Sequence, residues 1–176
     1  MDMMAIAMVE GRLRGLVEEL KEELGTAIPI AVEKLMGLFG LEASPGLLKD
    51  IRMAISHALH IIIHELAHQV AREAMPWLEE LPEPDRTFVD EVLARLVERA
   101  ISTELRDGVG LKMVLVEDFK EQLSELRFYE QLRGISMDEA DLKALYEEFL
   151  RYASRAGGAL DFARHLLELR GRFLRR

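Results

Sequence analysis

Residues 44–76 read Ser44-Pro-Gly-Leu-Leu-Lys-Asp-Ile-Arg-Met-Ala-Ile-Ser-His57-Ala-Leu-His60-Ile-Ile-Ile-His64-Glu65-Leu-Ala-His68-Gln-Val-Ala-Arg-Glu-Ala-Met-Pro76. Ser44 is an N-cap residue type, and Pro45 suits the first helical position, where an N–H would go unpaired anyway. Pro76 cannot continue a helix. Between these marks apolar residues recur at helical spacing, which predicts one long helix over about 45–75. Four of the five histidines lie on it. At about 100° per residue, His57, His60, His64 and His68 share an arc of about 80°.

Outward from this helix the periodicity stays helical. Helices are expected over about 4–24, ending at Gly25, and over about 27–39, ending at Gly40. Residues 77–85 form a connector with at most a turn of helix, followed by a helix over about 84–105. Gly108 and Gly110 break that helix. Another is expected over 111–133, although Val109–Val116 can compete as a short strand. Ser136-Met-Asp-Glu139 has the capping-box pattern and starts a helix to about Arg155. Gly157-Gly158 separates it from a last helix ending near Arg175. The expectation is an all-α, single-domain globule of about six to seven helices over residues 1–176, with the histidine helix at its centre.

Composition removes several function classes. There is no cysteine, so disulfides and thiolate ligands are excluded, and any metal must be held by His, Asp, Glu or water. A net charge of −9 argues against sequence-independent nucleic-acid binding. The arginines near the end (Arg164, Arg170, Arg172, Arg175, Arg176) complement the C-terminus of a final helix. No Asn occurs and charged residues make up 31% of the chain, a thermophile-like profile. No apolar stretch is long enough to span a bilayer without a charge or a histidine, so no stable membrane insertion is expected. The first ten residues lack a positively charged start, and a cytoplasmic protein is expected.

His64-Glu65-Leu-Ala-His68 sets two imidazoles one helical turn apart with a carboxylate beside them. Both rings can turn a nitrogen toward one Zn²⁺. Glu65, rotated by about 100°, is badly placed as a ligand but well placed to take a proton from water at the metal's open position.

A third ligand follows from a length argument. If the helices at about 45–75 and 84–105 form a hairpin turning near residue 80, residues equally far from the turn lie at equal height. His68 then faces Glu91. Glu98 is two turns further on nearly the same meridian and is the alternative, while Asp90 lies about 100° round the helix and is weaker. The bland reading puts Glu91 and Glu98 on a solvated face with Arg95. For an oxyanion donor, the neutral candidates are His165, the one histidine outside the stripe, and Tyr129, Tyr146 and Tyr152. The bland reading pairs His165 with Asp161. His57 and His60 read by default as satisfied core histidines, with an extension to a second metal as the lesser alternative.

The motif His64-Glu65-Leu-Ala-His68, followed 23 residues later by Glu91 within Asp90-Glu91-Val-Leu-Ala94, resembles the gluzincin branch of the zincin metallopeptidases, including its compact archaeal and bacterial members. The resemblance covers about a quarter of the chain. It implies His64, His68 and Glu91 as zinc ligands, Glu65 as general base, and a peptide or small protein as substrate.

Three functions compete at this stage. The first is a zinc-dependent hydrolase, most simply a metallopeptidase with Glu65 and His165 as catalytic residues. The second is a helical metal-binding protein without protease chemistry, since Glu65-Leu-Ala-His68 also fits the Glu-x-x-His unit of di-iron bundles. The third is an interaction module carrying a relic motif.

Overall fold

The structure, a computed structural model, describes residues 34, 38, 45–112 and 114–174. The expected helix over 4–24 lies outside the described residues; of the one over 27–39, only Lys34 and Leu38 are described, both helical. Two compact units divide the chain, Met1–Ile55 and Ser56–Arg176. The second unit holds the site and is described here.

The described part is all-α and contains no strand. The histidine helix, α1, spans Pro45–Ala74. A 3-10 turn over Pro76–Glu80 leads to α2, Asp85–Thr103. After a π-helical turn at Glu104–Gly108 come α3 (Phe119–Leu126), a 3-10 turn (Glu130–Leu132), α4 (Glu139–Ala153) and α5 (Gly158–Phe173). Among the described residues, no helix is long and apolar enough to cross a membrane.

The core sits between α2, α4 and α5. Phe88, Val89, Val92 and Leu96 of α2 pack with Leu142, Leu145 and Phe149 of α4 and with Phe162, Ala163 and Leu166 of α5. Phe149 and Phe162 meet edge to face, with ring centroids 5.4 Å apart. Arg170 of α5 pairs with Asp85 at 2.7 Å, tying the last helix to the first turn of α2. The α4–α5 corner depends on a glycine. A Cβ at Gly158 would stand 1.8 Å from the Tyr152 carbonyl oxygen, so only hydrogen fits there.

Two expectations change. Among the described residues, the helix expected over 111–133 is confined to Phe119–Leu126, and 109–112 and 114–118 are irregular rather than a strand. Gly110 at φ +85° turns the chain, the described residues hold no second strand to pair with, and Asp118 caps α3 by accepting from the Glu121 N–H at 2.8 Å. The cap of α4 is Asp138, boxed with Asp141, two residues after the expected Ser136. Ser136 instead donates its hydroxyl to the Phe173 carbonyl at the end of α5, at 3.2 Å.

Candidate metal centre

α2 is buried on two sides. Its apolar residues face the core, while Glu91, Arg95 and Glu98 face α1 and are also buried. The reading that places these three on a solvated surface is therefore overturned: Glu98 is only 1% exposed. Burying such charges is unfavourable unless each meets a partner: the two carboxylates meet histidines of α1, and Arg95 meets Glu98, Glu117 and Glu125. His68 meets Asp90 and Glu91, whereas His60 meets Glu98. The two helices thus run antiparallel, at the heights a turn near residue 80 requires.

At the lower end of this seam, His64 Nε2 and His68 Nε2 lie 3.1 Å apart. Glu91 faces both rings, with Oε1 3.5 Å from His68 Nε2 and Oε2 3.8 Å from His64 Nε2. One donor atom from each of the three residues lies within 4.8 Å of the others, close to the edges of about 3.3–3.4 Å of a tetrahedron with ligand bonds near 2.0–2.1 Å. Glu91 Oε2 is buried without a hydrogen-bond partner. A cation among these three residues would satisfy it, so the residues fit a zinc ion.

Each imidazole is also held from behind. His68 Nδ1 lies 2.8 Å from Asp90 Oδ1, and Arg72 reaches the other Asp90 oxygen at 3.3 Å. His64 Nδ1 lies 3.0 Å from Glu98 Oε2. The Asp90 hydrogen bond on the far ring nitrogen fixes the tautomer and orientation of His68, turning its Nε2 toward Glu91. Burial pulls the His68 pKa down, but Asp90 and Glu91 outweigh it and raise the value to about 9. Burial likewise pushes Asp90 up, yet its hydrogen bond to His68 holds the carboxyl below its ordinary value.

The upper end of the seam holds His60, Glu98 and Glu117. His60 Nδ1 lies 2.7 Å from Glu98 Oε1, and its Nε2 lies 2.8 Å from Glu117 Oε1. The Glu117 and then the Glu98 carboxylate, each beside one ring nitrogen, raise the His60 pKa to about 10. Arg95 approaches the same two carboxylates from the other side, at 3.5 Å from Glu98 Oε2 and 3.8 Å from Glu117 Oε2, and also pairs with Glu125. Glu117 comes from the irregular connector. Arg99 anchors it by donating to the Glu117 carbonyl while stacking on Phe119, 3.7 Å from the ring centroid.

Beside the seam is a cleft of about 550 Å³ lined by His60, His64, Glu65, Arg95, Phe128 and Tyr129, among others. Glu65 is solvent-exposed and lines it together with His64. The Tyr129 hydroxyl faces Glu91 and Arg95; burial, and then Glu91, push its pKa up to about 12, so it remains a donor at all ordinary pH.

The structure brings together His64, His68 and Glu91, with Glu65 alongside. It does not bring His165 to them. That ring lies 3.0 Å from Glu148 and stacks on Tyr152, while Asp161 pairs with Arg155 at 3.2 Å. His57 is exposed on α1. Sequence reasoning passed over Glu117, Glu125 and Arg95 as site residues, and weighed Asp90 only as a ligand. Glu117 has no sequence signal, because it follows an irregular segment whose course depends on Arg99. Asp90 had one, since a carboxylate adjacent to a ligand lies one residue round the helix, facing the other edge of the same ring.

No protein-family model, curated protein or solved structure matches the chain.

Proposed function

We propose that the protein is a zinc-dependent hydrolase, specifically a gluzincin-like metallopeptidase acting on peptides or a small protein in the cytoplasm. His64, His68 and Glu91 hold the zinc and Glu65 is the general base. The observation that carries this reading is the convergence of the His64 and His68 Nε2 atoms beside Glu91, with Asp90 hydrogen-bonded behind His68 and Glu98 Oε2 3.0 Å from His64 Nδ1. Two core histidines with no ligand to hold would not need that arrangement.

Zinc bound there supplies Lewis-acid polarisation of a carbonyl and makes a water acidic near neutral pH. The remaining work falls to side chains. Glu65, exposed in the cleft, accepts the proton of the attacking water and returns it to the leaving amine. The Tyr129 hydroxyl, at the cleft wall, donates to the oxyanion as it develops. It takes the role that the sequence assigned first to His165.

Elemental analysis of protein purified without a nickel column, combined with a fluorogenic peptide library, tests the reading. The expected result is bound zinc, of which the ion held by His64, His68 and Glu91 is lost in His68→Ala and kept in Glu65→Gln, with hydrolysis reduced by about 10²–10⁴-fold in Glu65→Gln. Zinc binding with no hydrolysis of any peptide would favour a structural metal protein. No zinc after incubation would leave a helical interaction protein.

A further inference from the structure

We infer that the upper end of the seam is a second divalent-cation site, formed by His60, Glu98 and Glu117 and joined to the zinc triad through Glu98. A ring nitrogen and one oxygen from each carboxylate converge within 4.8 Å of one another. Glu98 Oε1 lies 2.7 Å from His60 Nδ1 and Glu117 Oε1 lies 2.8 Å from His60 Nε2, whereas both Oε2 atoms face Arg95, that of Glu98 also facing His64. Arg95 thus holds both carboxylates in place from outside the triangle without occupying it.

One further observation points to a ligand. His60 Nδ1 is buried and makes no hydrogen bond, although Glu98 Oε1 lies 2.7 Å from it. One imidazole and two carboxylates suit Zn²⁺, Fe²⁺ or Mn²⁺ rather than Ca²⁺ or a thiolate-seeking ion.

Glu98 gives the two sites a link. Its Oε2 orients His64 while its Oε1 faces the second cation, so filling the upper site polarises the carboxylate that supports a zinc ligand. The inference concerns the same seam as the zinc proposal, and the two fail separately. The test is to load the full chain with excess zinc, remove unbound metal by gel filtration, and count zinc per chain in wild type, His68→Ala and Glu117→Gln, with circular dichroism to verify folding. Two zinc ions in wild type and one in each variant is the expected result. One ion in wild type, lost in His68→Ala, overturns the second site alone; none overturns both proposals. Two ions retained in Glu117→Gln overturns the residue assignment. If Glu117→Gln does not fold, His60→Gln is read in the same way.

Discussion

Asp90 and Glu91 are neighbours on α2, yet they hold opposite edges of one imidazole: Asp90 lies 2.8 Å from His68 Nδ1 and Glu91 3.5 Å from His68 Nε2. One residue of rotation, about 100°, separates the carboxylate behind the ring from the one proposed as a zinc ligand. Replacing Asp90 with Asn keeps the volume but weakens the hold on the ring. Zinc affinity measured by competition with a chromophoric chelator is expected to fall by about 10–100-fold in Asp90→Asn. An unchanged affinity would show that Asp90 does not orient the ligand.

Tyr129 is expected to act on the transition state rather than on zinc or on substrate binding. Tyr129→Phe removes a hydroxyl donor at the cleft wall and leaves the ring packing intact. Its kcat should drop by about 10²-fold with KM nearly constant and zinc content unchanged. A rise in KM alone would assign Tyr129 to substrate binding.

Metal-free and zinc-loaded protein should respond to pH in opposite directions. The His68 pKa of about 9 in the folded protein exceeds its ordinary 6.5. The stabilisation from that shift is complete below about pH 6.5 and is lost as pH rises through about 9. Asp90 is shifted downward, so its share is present above its ordinary 3.8 and lost as pH falls. Thermal scans of metal-free protein should therefore show Tm falling between pH 6.5 and 9. With zinc bound, the ligands must be deprotonated, and Tm should rise between about pH 5.5 and 7.5. Parallel pH profiles for the two forms would rule out zinc on His68.

Arg95 neutralises three carboxylates from a nearly buried position. In Arg95→Met they lose their shared guanidinium while the side-chain volume is roughly kept. The metal-free protein should lose about 3–5 kcal/mol in a urea melt, as expected for removing one partner of a buried ion pair. A loss below about 1 kcal/mol would mean that the network is wet enough to screen itself.

Gly158→Ala sets two effects against each other. Alanine is the better helix former by about 1 kcal/mol. Its Cβ, however, would meet the Tyr152 carbonyl oxygen at 1.8 Å. Backbone cannot swing aside as a flexible side chain can, so the clash wins, and a net destabilisation of about 1–3 kcal/mol is expected in the same melt.

Helices α1, α2, α4 and α5 and the grouping of His64, His68 and Glu91 were legible because they depend on regular geometry. A 3.6-residue repeat, a proline at each end of α1 and a constant rise along a hairpin place those residues without knowledge of anything else. The roles of their surroundings depended on chain segments that follow no repeat. Glu117 enters through an irregular connector held by Arg99, and Tyr129 arrives after α3 has ended. Glu98, weighed in the sequence as a rival ligand, became the partner of two histidines because both faces of α2 are buried. An amphipathic pattern identifies the apolar face of a helix, but it does not reveal that the polar face is also covered. The sequence by itself determined an all-α protein with two imidazoles and a carboxylate at one height. Only the tertiary structure decided what holds them, because burial and charge pairing belong to the packed whole and not to any one segment.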